Sequence, residues 1–127
     1  MNLTFLASVA AGGAIGASLR YMVAVKAAAL FGAGFPWATL FVNIVGSFAM
    51  GLVFEFFAER LTPSAVQLFL MTGVLGGFTT FSAYSLEIVS MLGNRDYLTA
   101  GLYATGSVVV SALALFAGLY LVRVSLP

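Results

Sequence analysis

Four stretches of this chain carry no charged residue, and each is long enough to cross a bilayer. Arg20 is the first charge; 28 residues separate Lys26 from Glu55, 26 separate Arg60 from Glu87, and 26 separate Asp96 from Arg123. A membrane-spanning helix needs about 20 predominantly apolar residues. Only 7% of the 127 residues are charged, against roughly 25% in an ordinary globular protein, and mean hydropathy is +1.12. Such a surface is stable in lipid and not in water. The fold class that follows is an all-α integral membrane protein with four transmembrane helices.

Composition also removes most enzymes. The chain has no His and no Cys, so imidazole bases, thiolate nucleophiles and the usual zinc or haem ligands are missing. A paired-aspartate protease is excluded too, because Asp96 is the only Asp. A net charge of +1 offers no basic face for nucleic acid. No Lys or Arg precedes the first apolar run, and no polar domain follows it, so the N-terminus does not read as a signal peptide. The chain is read as a non-enzyme.

The spans fall at about 3–25, 36–57, 64–92 and 97–123, in a single transmembrane domain over 1–127. The run Phe31-Gly32-Ala33-Gly34-Phe35-Pro36 joins the first two, with Pro36 suited to a first helical turn. Leu61-Thr62-Pro63-Ser64 and Gly93-Asn94-Arg95-Asp96 are the other turns. Connections this short make neighbouring helices antiparallel. Small residues recur at helix-packing intervals: Gly12 and Gly16, Ser47 and Gly51, Ser107 and Ser111. Arg60 and Arg123 fall toward the side of the N-terminus, and Arg20, Lys26 and Arg95 toward the other. So near a balance barely favours either orientation under the positive-inside rule. Either the bias is set elsewhere, or the chain inserts both ways and pairs as an antiparallel dimer.

Polar residues inside the spans are few and aligned. Thr39, Asn43 and Ser47 are spaced i, i+4, i+8 on one helix face, and Tyr103, Ser107 and Ser111 repeat the pattern. Each stripe serves either as interhelical hydrogen-bonding glue or as a polar track without fixed charge. The third span contains Gly73-Val74-Leu75-Gly76-Gly77-Phe78-Thr79-Thr80, a poor helix former read as a break near mid-span. Irregular backbone at that depth is tolerated only where protein or a cavity covers it, and such breaks free carbonyls that can hold Na⁺. Phe81, Tyr84 and Glu87 follow at intervals of three. Ring edges are electropositive, so Phe81 and Tyr84 could face a small anion without trapping it as a full cation would. Glu87 and Arg20 are the charges nearest the bilayer interior, where charge is costly and is placed for function or paired.

The run Gly76-Gly77-Phe78-Thr79-Thr80-Phe81-Ser82-Ala83-Tyr84-Ser85-Leu86-Glu87 resembles the signature of the Fluc (CrcB-type) fluoride channels, G-G-x-T-T-F-S-T-F-S-x-E. Gly12-Gly13-Ala14-Ile15-Gly16-Ala17-Ser18-Leu19-Arg20-Tyr21 resembles the family's glycine-rich first helix, and Pro36-Trp37-Ala38-Thr39-Leu40-Phe41-Val42-Asn43 its G-T-L-x-V-N segment. The resemblance extends over the whole chain. It implies a multi-pass inner-membrane channel that lets F⁻ leave the cell passively. It further implies an antiparallel dual-topology homodimer with a structural Na⁺ at its centre. By position, the Gly76 and Thr79 carbonyls would hold Na⁺. Phe81 and Tyr84 fall at the pore aromatics, Asn43 at the pore asparagine, and Tyr103, Ser107 and Ser111 on the fourth-helix track. Thr39 shares Asn43's stripe, Glu87 is the acidic residue farther along the path, and Arg20 is a structural charge.

Two positions depart from the pattern: Tyr84 stands where the family usually has Phe, and Ala83 where it has Thr. Tyr84 keeps the ring edge and adds a hydroxyl that either donates to an anion or takes another partner. The competing function is a small multidrug-resistance-type four-helix exporter. That mechanism needs a carboxylate in the first span, and this first span has neither Asp nor Glu.

Overall fold

The structure is a computed structural model that describes residues 2–59 and 62–125. Four helical stretches are long and apolar enough to cross a membrane: Leu3–Phe31, Trp37–Phe56, Ala65–Gly93 and Tyr97–Ser125. Arg60, placed above among the charges that orient the chain, lies outside the described residues.

Helix α1 (Leu3–Phe31) starts at Asn2, whose Oδ1 accepts from the Thr4 amide at 2.9 Å and the Phe5 amide at 3.4 Å. It runs six residues past the expected end at 25. The segment after Lys26 is Ala- and Leu-rich and favours helix, and nothing breaks it before Gly32, which takes φ +72°. At 1.5 Å per residue, its 29 residues are longer than the roughly 20 that crossing a hydrocarbon core requires.

Helix α2 (Trp37–Phe56) follows Pro36. The third stretch is composite: α3 (Ala65–Leu68), a π-helical turn over Phe69–Leu75, α4 (Gly76–Phe78), then α5 (Phe81–Gly93). The Ser64 hydroxyl caps its start, accepting from the Gln67 amide at 3.1 Å. Gly73, Gly76 and Gly77, which the sequence reading placed within an interruption, are helical. Only Thr79 (φ −80°, ψ 162°) and Thr80 (φ −154°, ψ 123°) are extended, between α4 and α5. Packing keeps the glycine run helical, because it lies against α1. A Cβ on Gly16 would collide with the Val74 carbonyl, and one on Gly73 would sit 2.8 Å from Gly12 Cα. Arg95 (φ 60°) turns the chain into α6 (Tyr97–Ser125).

The helices pack chiefly as two pairs, α2 with α6, and α1 with the π-helical and α4 segments. In the first pair Gly51 abuts the Leu115 carbonyl and Gly118 the Phe48 carbonyl, so two backbones touch. The end of this pair is joined by a two-pronged ion pair, Arg123 Nε to Glu55 Oε1 at 2.8 Å and Nη2 to Oε2 at 3.1 Å. Few large side chains are fully enclosed; Val42, Ala100 and Tyr103 are the most buried apolar residues. Most apolar surface therefore faces outward, as a chain surrounded by lipid or a second copy requires.

Candidate functional site

The two extended threonines are held from α2. Asn43 Oδ1 accepts from the Thr80 amide at 2.8 Å, and Asn43 Nδ2 donates to the Thr80 carbonyl at 3.0 Å. One side chain thus replaces both partners that the Thr80 backbone lost when the helix stopped. A continuing helix would send the Thr80 amide to the Gly76 carbonyl and the Ala83 amide to the Thr79 carbonyl. The first amide goes to Asn43 and the second to the Thr80 hydroxyl at 3.2 Å. The Gly76 and Thr79 carbonyls are thereby released from the helical ladder, and Gly76 is exposed at the protein surface. The intervening Gly77 carbonyl accepts from Arg20 Nε at 3.0 Å, which gives the half-buried Arg20 a partner on another helix.

Beside the extended pair lies a cleft of about 350 Å³ whose walls include Asn43, Ser47, Phe81, Tyr84, Ser107 and Ser111. It joins one face each of α2, α5 and α6, so both polar stripes open onto it. The Ser107 and Ser111 hydroxyls are buried and have no hydrogen-bond partner among the described residues. Other helix serines behave differently: Ser8, Ser18, Ser85 and Ser90 each donate to the carbonyl four residues back. An unpaired buried hydroxyl is costly. Two in one wall therefore mark a place where a small hydrogen-bond acceptor gains energy by entering. Phe81 forms the open edge of the cleft and is 77% exposed; its ring lies 5.4 Å from that of Tyr84.

The Tyr84 hydroxyl is engaged, donating to the Ala104 carbonyl of α6 at 2.7 Å. Of the two roles open to it in the sequence, the structure gives it the partner on protein. Beyond Tyr84 three helices converge on one carboxylate. Thr39 Oγ1 donates to Glu87 Oε1 and the Tyr103 hydroxyl to Glu87 Oε2, each at 2.6 Å. Thr39 and Tyr103 are almost wholly buried and Glu87 is half-buried. The stripes are therefore divided. Thr39 and Tyr103 bind the acid, whereas Ser47, Ser107 and Ser111 face the cleft, and Asn43 touches both the cleft and the Thr80 backbone. The residues lining the cleft include no charged side chain; the nearby charge is the Glu87 carboxylate, with a hydroxyl on each oxygen.

Sequence reasoning missed the contributions of Thr80 and Phe35. Thr80 caps α5 and receives both ends of Asn43. Phe35, from the loop before α2, packs edge-on against Tyr103, with ring centroids 5.4 Å apart at 81°. A Thr ahead of a helical run is a readable cap signal; a loop aromatic carries no such periodicity.

Comparison with known proteins places this chain in a family. The family described as "CrcB-like protein, Camphor Resistance (CrcB)" matches residues 7–119. The "Fluoride-specific ion channel FluC" of Agrobacterium fabrum is 53% identical over 119 residues, covering 93% of this chain and 95% of that protein. Its counterpart in Hyphomonas neptunium is 53% identical over 117 residues, covering 91% and 92%. "Fluoride-specific ion channel FluC 1" of Nitrobacter hamburgensis is 46% identical over 125 residues, covering 98% and 99%. The chain belongs to the CrcB family.

Proposed function

We propose that this CrcB-family membrane protein is a passive, fluoride-selective channel that lets F⁻ leave the cell across the inner membrane and so relieves its toxicity. The observation that carries the reading is the cleft wall in which the Ser107 and Ser111 hydroxyls are buried without partners. A small, strongly hydrogen-bonding anion is the acceptor that such donors suit. The Phe81 ring edge and the second amide hydrogen of Asn43 add donors nearby. None carries a full charge, so the ion is bound weakly enough to leave, as conduction requires.

Glu87 would repel an anion if its carboxylate swung freely. Thr39 and Tyr103 each occupy one of its oxygens, spreading its charge into two charge-assisted hydrogen bonds and fixing its position at the end of the path. Tyr84 contributes its ring, since its hydroxyl is tied to α6.

The same reading includes an antiparallel homodimer of a single four-helix domain, with the third helix broken within the bilayer. A polar cleft whose rim residue Phe81 is 77% exposed needs cover in lipid, because unpaired hydroxyls and extended backbone are costly there. A second copy supplies such cover, and near-balanced flanking charge permits it to insert inverted. The resemblance also implies a structural Na⁺, and the donor set fits one. The Gly76 and Thr79 carbonyls are off the helical ladder, and carbonyl oxygen is the ligand type for a hard cation. Bound there, Na⁺ would supply a fixed charge that holds the two subunits' carbonyls together.

Liposomes containing the purified protein and loaded with F⁻ or Cl⁻ test this directly. Fast electrogenic release of F⁻, with Cl⁻ retained, is expected. Retention of F⁻ by vesicles containing folded protein would overturn the reading.

A further inference from the structure

We propose that Phe35 is a positioning residue for the acid cluster: its ring, pinned by a turn at Pro36, keeps the Tyr103 phenol on Glu87. The functional half of this inference rests on the channel reading above, while the structural half stands without it.

The loop between α1 and α2 is fixed at both ends. Gly32 opens it with φ +72°. Pro36 closes it with φ −78° and ψ 61°, and the Trp37 amide donates to the Phe35 carbonyl at 2.8 Å. Those angles and that bond, from one residue to the second before it, define an inverse γ-turn, and the proline ring locks its φ. Gly32, Ala33 and Gly34 are exposed, whereas Phe35 turns inward and is half-buried. Its ring is 4.6 Å from that of Trp37 on one side and 5.4 Å from Tyr103 on the other, nearly perpendicular to the latter. This edge-to-face contact is favourable beyond the area it buries.

Tyr103 has a second ring neighbour, Tyr84, 5.5 Å away, whose hydroxyl is bonded to Ala104. Phe35 and Tyr103 both line a cleft of about 280 Å³, with Leu40, Ile44 and Ser107. Deleting the Phe35 ring adds its volume to that cleft and gives the phenol room to leave Glu87. The carboxylate would then keep Thr39 alone, with one oxygen unpartnered beside an anion path.

The test measures F⁻ efflux from liposomes for Phe35→Ala, Phe35→Leu and Phe35→Trp, with and without Tyr103→Phe. Losing a hydrogen bond to a charged group costs about ten-fold or more, so Phe35→Ala is expected to lower efflux by about that factor. Phe35→Leu keeps the apolar volume and lowers efflux too, whereas Phe35→Trp restores it. In the Tyr103→Phe background Phe35→Ala adds no further loss, because both changes remove the same bond. Normal efflux in Phe35→Ala, or independent addition of the two losses, overturns the proposal. A second readout does not depend on conduction. In protein labelled with 3-fluorotyrosine, the ¹⁹F resonance assigned through Tyr103→Phe should shift on Glu87→Gln when Phe35 is present and hardly move on Glu87→Gln in the Phe35→Leu background. An equal Glu87→Gln shift in both backgrounds overturns the positioning role. A wild-type protein that does not release F⁻ would instead remove the channel reading, with the ¹⁹F shift still deciding what Phe35 does.

Discussion

Asn43 and Thr80 are joined at both ends of one amide, Oδ1 accepting from the Thr80 N–H at 2.8 Å and Nδ2 donating to the Thr80 C=O at 3.0 Å. This pair lets Thr79 and Thr80 leave the helical conformation within an apolar stretch while both backbone groups of Thr80 stay paired. It also means that Asn43 both holds the backbone and lines the cleft.

Asn43→Ala should therefore destabilise the protein as well as slow F⁻ efflux, by about 1–3 kcal/mol for each backbone group left unpaired. Thermal unfolding in detergent measures the first effect and liposome efflux the second. Asn43→Asp separates them. It keeps the acceptor for the Thr80 amide, so it should melt above the Ala variant while conducting no better, because it adds a negative charge to the cleft. An Asp variant that conducts like wild type would remove Asn43 from the path.

Tyr84→Phe deletes only the hydroxyl that donates to Ala104. The Ala104 carbonyl lies inside α6 and keeps its helical donor, so the expected cost is about 1 kcal/mol, read from thermal unfolding. F⁻ efflux should persist, since the ring edge remains. Complete loss of efflux in Tyr84→Phe would show that the hydroxyl serves the ion and not the α5–α6 contact.

Phe81→Ile should cut F⁻ efflux at least ten-fold while leaving unfolding almost unchanged. The side chain is 77% exposed within one subunit, and surface substitutions of this kind shift subunit stability by roughly 0.5 kcal/mol or less. Undiminished efflux would take the ring-edge role away from Phe81.

Gly16→Ala should be poorly tolerated, because its Cβ would meet the Val74 carbonyl and stand 2.9 Å from the Phe78 amide nitrogen. Backbone atoms cannot yield as a flexible side chain does, so a loss of about 1–3 kcal/mol is expected. Gly13→Ala has open space within 4 Å and should leave the subunit's unfolding temperature unchanged. Equal melting of the two variants would contradict the close approach of α1 to the π-helical segment.

Much of the fold was legible because each span announces itself locally. Charge-free runs located all four helices, and Ser64 lies at a helix start where a polar cap is readable. Helix α1 continues past the span expected at 3–25, because nothing after Lys26 breaks a helix until Gly32. The glycine run was read as irregular from intrinsic propensity. Packing against α1 overrides that propensity and confines the extended backbone to Thr79 and Thr80. For the candidate site, the i, i+4 stripes put Asn43 with Ser47, and Ser107 with Ser111, on shared helix faces that line one cleft. They did not distinguish residues that line the cleft from those, such as Thr39 and Tyr103, that bind Glu87.

By itself the sequence determined that this chain spans a membrane with four helices, which faces of those helices are polar, and that its polar groups lack the residue types for most catalysis. Those are properties of one helix set against its solvent, and hydrophobicity and period suffice to read them. Only the tertiary structure decided which donor meets which acceptor. Asn43 and Thr80 are 37 residues apart, Thr39 and Glu87 are 48 apart, and Tyr84 finds its partner on α6. Such pairings depend on the rotation and depth at which separate helices pack, and close contacts between backbones such as Gly51 and Leu115 set both.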